Sequence, residues 1–241
     1  MNNIPESSYH VGENCFSSIN QLHKRYLKDS GWIDSKNSNR SLRNGECIPW
    51  TTYSFLYWLE KRNLGESYLL EFGSGASTLF WAKNFRDVVS IETDSNWYWR
   101  IKTSTSNFPN THVKLLTDIC DTSSVSYDNS IFNSVSEDIS NFPELNNTYL
   151  NFEYTNLKEY INKADYIFID GGPRNTYAYL SSIYAKKDAI IIVDNTDSNY
   201  LKMGIASLNK AGYKEIVFHS LGPLNHYSWS TSIFIKDFSM L

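Results

Sequence analysis

A regular alternation of short apolar runs with helical stretches is the feature that most limits the fold of this chain. The runs lie at Tyr68–Phe72, Val88–Glu92, His112–Leu116, Asp165–Asp170 and Ala189–Asp194, with two further candidates at Glu215–His219 and Thr231–Ile235. Apolar runs without polar interruption are typical of strands buried on both faces of a parallel sheet. The pattern therefore predicts a doubly wound α/β fold, with a mainly parallel seven-stranded sheet and helices on both faces.

The start of this alternation divides the chain. Residues 67–241 carry it, and residues 1–66 form a polar, aromatic-rich segment that we predict to be an N-terminal helical extension or lid packed on the core. An insertion at about residues 118–156 is far longer than an ordinary connection and is rich in Asn, Ser, Asp and Tyr. We favour a substrate-facing lid there over a partly ordered insertion.

Composition excludes several classes of partner. The formal net charge is -4, whereas proteins that neutralise a phosphate backbone are usually basic, so we expect no nucleic-acid partner. The sequence has no apolar run long enough to cross a bilayer and no leader at its start. Its three cysteines are far apart and match no zinc spacing. We therefore expect a cytoplasmic protein that does not enter the membrane, and the sequence leaves the oligomeric state open.

The first strand ends in an acid and a glycine-rich turn, Glu71-Phe72-Gly73-Ser74-Gly75. Glycine lets a backbone approach a ligand closely, and the unpaired N–H groups at the start of the following helix donate to its polar atoms. Glu92 ends the next strand, where an acid accepts hydrogen bonds from ribose hydroxyls. The alternative for a lone Gly-x-Gly is a tight strand-to-helix turn without a ligand.

Two residues of this turn bear on the kind of nucleotide. Dinucleotide sites usually have a third glycine where this chain has Thr78, and they seldom carry an acid at the position of Glu71. The sulfonium and ammonium groups of S-adenosylmethionine suit carboxylates and aromatic faces, at about 1 kcal/mol for each contact. The turn therefore favours S-adenosylmethionine.

The sequence resembles the class I S-adenosylmethionine-dependent methyltransferases, which have a Rossmann-like fold, over residues 67–236. The likeness is carried by Glu71-x-Gly73-x-Gly75, Val89–Glu92, Asp165–Gly171 and Ile192–Asn195. It implies that Glu71 lies near the methionine amino group, that Gly73 and Gly75 lie under the cofactor and that Glu92 binds the ribose. Ser74 and Asp170 are further cofactor-binding candidates, and Asp118 is a looser candidate for the adenine side.

Other segments resemble an uncharacterised bacterial subfamily of these enzymes, a likeness that says nothing of the substrate. They are Gly31-Trp32, Ile48–Thr51, Gly75–Ala82, Trp97-Tyr98 and Gly222–Asn225. Trp50 precedes a helix in the N-terminal segment, where it either closes over the cofactor or packs in the core.

Asp170 and Asp194 end adjacent strands, so both carboxylates are expected in the crevice beside the cofactor methyl group. With Asn195 they form an oxygen set suited to Mg²⁺ or Ca²⁺, and the arrangement resembles the catechol O-methyltransferase family. That family has a lysine shortly after the first aspartate, where this chain has Arg174. Arg174 suits an anionic substrate group or a surface ion pair. The alternative for the three oxygen residues is turn and helix-cap chemistry.

Without a metal, transfer to a hydroxyl needs a general base. His226 is the leading histidine, in a loop dense in groups that stack on and hydrogen-bond a polar substrate, although a loop histidine is more often a surface residue. The sequence thus favours O-methylation of a small polar or glycan-like acceptor, with Asp170, Asp194 and His226 as catalytic candidates. The alternatives are a nicotinamide-dependent oxidoreductase or epimerase and a cofactor-binding module without catalysis.

Overall fold

The computed structural model describes residues 15–116 and 155–237. Its centre is a seven-stranded sheet in the order β5-β4-β3-β6-β7-β9-β8, and a separate two-stranded hairpin precedes it. The hairpin strands are β1 (Leu42–Arg43) and β2 (Glu46–Cys47). The sheet strands are β3 (Tyr68–Phe72), β4 (Asp87–Glu92), β5 (Thr111–Leu115), β6 (Tyr166–Ile169), β7 (Ile190–Asp194), β8 (Lys214–Ser220) and β9 (Trp229–Ile235).

Eight α-helices lie within the described ranges. They are α1 (Cys15–Leu22), α2 (Trp32–Ser38), α3 (Tyr53–Leu59), α4 (Ala76–Asn84), α5 (Ser95–Ser104), α6 (Thr155–Lys163), α7 (Arg174–Tyr184) and α8 (Lys202–Lys210). A π-helical turn, His23–Leu27, continues α1, and a 3₁₀ turn, Asn199–Leu201, leads into α8. None of the helices in these ranges is both long and apolar enough to span a bilayer.

The pairing confirms the predicted mainly parallel sheet of seven strands. Strands β3 to β7 pair in parallel, whereas β9 runs antiparallel to both of its neighbours, β7 and β8. The last strand along the chain therefore lies inside the sheet, between β7 and the edge strand β8. All seven predicted strands are present, with ends that differ by at most two residues.

Successive residues of the central strands face opposite layers, as the pleat of a strand requires. On one face, Leu69 and Phe168 pack in a buried cluster with Trp81 of α4. On the other face, Leu70 and Ile167 pack in a second buried cluster that includes residues of α6, α7 and α8. The sheet is thus covered on both sides, which explains why its strands read as continuous apolar runs.

Helix α3 of the predicted N-terminal extension is part of this core. Its Phe55 and Leu59 are fully buried in the cluster around Trp81, and the Tyr53 N–H donates to the Leu221 carbonyl at 2.8 Å. The boundary at residues 66/67 stays a prediction. The predicted lid at residues 118–156 lies almost wholly outside the described residues, as does Asp118.

Candidate active site

The strand order reverses between β3 and β6, and in open α/β sheets ligands bind at the carboxyl ends of the strands at such a point. Gly73 and Gly171 meet there. Gly73 has a φ of +95°, and a Cβ on it would lie 2.5 Å from the Gly171 backbone nitrogen. The Gly171 N–H donates to the Phe72 carbonyl and the Gly73 N–H to the Ile91 carbonyl, both at 2.9 Å. These contacts tie the ends of β3, β4 and β6 together.

A cleft of about 720 Å³ opens above the glycine turn. Six of the residues predicted to bind the cofactor line it: Trp50, Gly73, Ser74, Gly75, Glu92 and Asp170. A Cβ on Gly75 would meet no atom closer than the Ser77 Oγ at 3.8 Å, so it would project into open space. The surface at Gly75 is therefore a cradle that any side chain would begin to fill.

Glu92 is almost fully buried at the wall of this cleft and braces the turn. Its Oε2 accepts from the Ser74 N–H at 3.0 Å and from the Ser74 hydroxyl at 2.7 Å. Its Oε1 accepts from the N–H groups of Thr93 at 2.7 Å and Asp94 at 2.9 Å. A carboxylate oxygen accepts up to two hydrogen bonds, so these four bonds fill the acceptor positions of Glu92 and fix its carboxylate at the edge of the cleft.

Glu71 lies one layer deeper and is completely buried. Its carboxylate accepts hydrogen bonds of 2.5–2.8 Å from four side chains: Ser77, Thr78, Trp81 and Ser90. Burial raises the pKa of Glu71 to about 7, and the four donors oppose that rise. Glu71 is not among the residues that line the cleft. Its contact with a cofactor amino group stays a prediction, and the observed contacts instead join the turn to α4 and β4.

Trp97 and Arg100, on α5, line the same cleft. The Trp97 indole N–H donates to the Ser74 carbonyl at 2.6 Å, and the Arg100 guanidinium lies 4.9 Å from the centre of the Trp97 ring. Asp94 caps α5 by accepting from the Trp97 N–H. Trp97 was not predicted to have a role of its own, although the capping pattern of an Asp three residues before it at a helix start is visible in the sequence.

Arg174, the first residue of α7, connects the ends of β6 and β7. Its Nη2 lies 3.2 Å from the Asp170 Oδ1. Its Nη1 donates to the Asn195 Oδ1 at 2.8 Å and to the Asp194 backbone carbonyl at 3.1 Å. The Arg174 and Asp170 side chains are 21% and 24% exposed, so this ion pair borders solvent-accessible space.

The Asp194 carboxylate is held from the opposite side, by β9. Its Oδ1 accepts from the Trp229 indole N–H at 3.0 Å and from the Thr231 hydroxyl at 2.5 Å. Desolvation raises the pKa of both Asp194 and Asp170 above the ordinary range. The charge of Asp170 adds to the rise at Asp194, whereas Arg174 opposes the rise at both.

These contacts do not fit the predicted Mg²⁺ or Ca²⁺ site. The guanidinium of Arg174 binds the side chains of Asp170 and Asn195, and the carboxylate of Asp194 is engaged by Trp229 and Thr231. A divalent cation needs several free oxygen ligands around one point. Within residues 15–116 and 155–237, no group of three or more His, Cys, Asp or Glu side chains is placed to hold a metal.

Two further cavities, of about 560 and 460 Å³, adjoin Arg174. Both are lined by Asn195, Tyr227 and Trp229 as well as Arg174, and the smaller also by Trp50, Asp170, Asp194 and Asn225. Trp50 and Asp170 therefore border the cleft above the glycine turn as well as a cavity on the Arg174 side. The Trp32 indole N–H holds the Asn225 carbonyl at 2.6 Å.

His226 is exposed, and its ring packs edge-on against Tyr227. It is not among the residues that line any of these three cavities, although both of its neighbours are. The described structure thus brings Asp170 and Asp194 together with Arg174, and it does not bring His226 to them. The catalytic role of His226 stays a prediction.

Comparison with solved structures establishes the fold. An O-methyltransferase from Bacillus cereus, in complex with SAH, is similar to this chain with a TM-score of 0.50 at 14% identity, over 91% of this chain and 97% of that one. A precorrin-6y C5,15-methyltransferase from Geobacter metallireducens has a TM-score of 0.48 at 12% identity, over 77% and 88% of the two chains. No family model and no curated protein matches the sequence. The chain has the Rossmann-like fold found in methyltransferases.

Proposed function

We propose that this chain is an S-adenosylmethionine-dependent methyltransferase that methylates a hydroxyl oxygen of a small polar or glycan-like acceptor. The observation that carries the proposal is the open cradle at Gly75, set at the switch point of the sheet between Glu92 and Asp170. A Bacillus cereus protein of the same fold, described as an O-methyltransferase, is recorded in complex with SAH.

The described residues fit this cofactor in shape and charge. Gly73 and Gly75 leave the floor of the cleft free of side chains, and a ribose hydroxyl would bind Glu92 in place of the Ser74 hydroxyl, which rotates freely about its own bond. Trp97 and Trp50 add aromatic faces to the walls, which suit a sulfonium or a purine ring. Such a site needs no pyrophosphate, in keeping with a turn that lacks the third glycine of dinucleotide sites.

The acceptor is placed in the cavities on the far side of Asp170, beside Arg174 and Tyr227. When bound, the cofactor supplies an electrophilic methyl group: a C–O bond forms, the C–S bond breaks, and its electron pair stays on sulfur. Asp170 borders both spaces, and its raised pKa makes it a suitable group to receive the hydroxyl proton at a carboxylate oxygen. Asp194 is 3% exposed, and the charge of Asp170 adds to the rise in its pKa, so protonation of either acid affects the other.

Calorimetric titration with S-adenosylmethionine and, separately, with NAD tests the cofactor. We expect micromolar binding of the first ligand alone. A Gly75→Val variant places its Cβ in the cradle without a clash, at a position whose φ lies outside the left-handed region. We therefore expect it to keep its melting temperature and to lose at least ten-fold in affinity. Gly65→Val is the matched control, because Gly65 also faces open space and lies away from the cleft.

Either of two results would contradict the proposal. Unchanged S-adenosylmethionine affinity in Gly75→Val would show that the cofactor does not bind at the cradle. Tighter binding of NAD than of S-adenosylmethionine would favour the oxidoreductase or epimerase instead. Gly73→Val is a poor test, since the contact with Gly171 makes that variant a test of folding as well.

A further inference from the structure

Arg174 carries a positive charge at the N-terminal end of its helix, where a positive charge is unfavourable. It is the first residue of α7, and the N-terminal end of a helix carries a partial positive charge that repels cations. The helix therefore gives no reason for an arginine there. The reason lies in its partners, since the guanidinium contacts the side chains of Asp170 and Asn195 and the backbone carbonyl of Asp194.

The three residues that Arg174 contacts, Asp170, Asp194 and Asn195, are those that the sequence predicts as ligands of a divalent cation. Arg174 meets one oxygen from each of them, at 2.8 to 3.2 Å. A guanidinium carries a permanent positive charge and five N–H donors in a plane. Nη1 uses two of those donors in its hydrogen bonds, and Nη2 forms the ion pair with Asp170. Arg174 therefore keeps N–H groups without a protein hydrogen bond, and it lines both adjoining cavities.

We propose that Arg174 is a built-in cation of the acceptor site, which occupies the place of a divalent metal ion and binds acceptor oxygen atoms through its remaining N–H groups. This inference rests on the proposed function for the identity of the acceptor side. It makes Arg174 a residue that positions the acceptor. It also explains why Asp194 needs no metal, because Trp229 and Thr231 already donate to its carboxylate.

Direct measurement of Mn²⁺ binding tests the proposal without an acceptor. The free ion is followed by its electron paramagnetic resonance signal during titration of the purified protein. Wild type and Arg174→Lys, which keeps a positive charge, should bind no Mn²⁺ at millimolar concentration. Arg174→Met removes the charge and exposes an oxygen cluster, so it should gain a site at least ten-fold tighter than any binding in wild type. Adding Asp170→Asn to Arg174→Met should abolish the gain.

Arg86→Met is the matched control. Arg86 also pairs with an aspartate, Asp87 at 3.0 Å, but both side chains are about half exposed on the surface. Its removal should therefore create no Mn²⁺ site. Thermal melts of every variant check folding, and the wild-type titration tests the proposal even if an Arg174 variant fails to fold.

Three results would overturn the inference. They are stoichiometric Mn²⁺ binding by wild type that is lost in Asp170→Asn, no gain of Mn²⁺ binding in folded Arg174→Met, and a gain that survives Asp170→Asn. S-adenosylmethionine calorimetry on the same preparations separates this failure from failure of the proposed function. Cofactor binding with any of the three results refutes the role of Arg174 alone, whereas absent cofactor binding refutes the methyltransferase assignment.

Discussion

Gly73 and Gly171 approach each other so closely that neither has room for a side chain. A Cβ on Gly73 would lie 2.5 Å from the Gly171 nitrogen, and a Cβ on Gly171 would lie 2.6 Å from the Gly73 Cα. Both obstacles are backbone atoms, which cannot rotate away. The turn under the cleft and the turn beside the Arg174 cavities are therefore fitted to each other before any ligand binds.

Gly73→Ala and Gly171→Ala should each lower the free energy of unfolding by about 2 to 4 kcal/mol, because the clash adds overpacking to any backbone strain. Urea denaturation measures the loss. Gly212→Ala separates the two effects, since Gly212 has a φ of +89° but no atom within 4 Å of the added Cβ. It should cost only about 1 kcal/mol, and equal losses in all three variants would contradict the clash.

The raised pKa of Glu71 predicts a pH-dependent stability. Folded Glu71, with a pKa of about 7, keeps its proton up to about pH 7, whereas the unfolded side chain releases it near the ordinary pKa of 4.5. Between these values the folded state binds more protons, so the free energy of unfolding falls as pH rises through this window, by up to about 3 kcal/mol. The contribution is fully present below the lower value and lost above the higher one.

Glu71→Gln removes the titration and should flatten this part of the stability curve. Urea unfolding of wild type and variant at several pH values between about 4.5 and 8 measures the difference. Exposed Glu66→Gln should keep the wild-type slope. A Glu71→Gln curve parallel to that of wild type would show that Glu71 does not titrate in this range.

Trp97→Phe keeps an aromatic ring in the cleft but removes the N–H that donates to the Ser74 carbonyl. A hydrogen bond of this kind contributes about 1 kcal/mol to holding the Ser74 turn in place. If all of that contribution maintains the binding geometry of the turn, S-adenosylmethionine affinity should fall by up to about five-fold. Calorimetry measures the change. Trp99→Phe is the control, because Trp99 is 61% exposed and does not line the cleft. Equal affinities of Trp97→Phe and Trp99→Phe would show that Trp97 does not contribute to cofactor binding.

Asp194→Ala should destabilise the protein by about 2 to 4 kcal/mol, since it leaves the Trp229 indole N–H and the Thr231 hydroxyl buried without their acceptor. Asp194→Asn keeps an acceptor oxygen and should stay within about 1 kcal/mol of wild type. Urea unfolding distinguishes them, and similar losses in both would point to the charge rather than the hydrogen bonds. Asp194→Asn is thus the better variant for activity measurements.

The strands and the glycine turn were predictable because their signals are local. A few consecutive residues are enough to predict the strand at Tyr166–Ile169 and the Gly-x-Gly turn after Phe72. The insertion of β9 between β7 and β8 has no such signal, since strand order is decided by contacts between segments far apart in the chain. The C-terminal end of β9, Ile235, was predicted correctly, but its pairing with β7 and β8 was not predicted.

The sequence predicted which residues lie at the site better than it predicted which of them contact each other. Asp170, Asp194 and Asn195 do meet at one edge of the sheet, but Arg174 takes up the oxygen atoms assigned to a metal. Trp229 reaches Asp194 across 35 positions of sequence, a contact that no local pattern encodes. Glu71 shows the same limit. Its four hydrogen-bond donors come from α4 and β4, and no single one of them indicates in the sequence that Glu71 is a buried acid.

The position of β9 has a consequence for partly folded forms of this protein. In any form in which residues 229–235 are not yet paired, β7 lacks a partner on one side, and its apolar residues 190–193 lie beside an open row of backbone N–H and C=O groups. The same seven residues bring Trp229 and Thr231 to Asp194. Pairing of β9 therefore covers an edge of the kind that promotes aggregation, and it also supplies the two donors that hold Asp194.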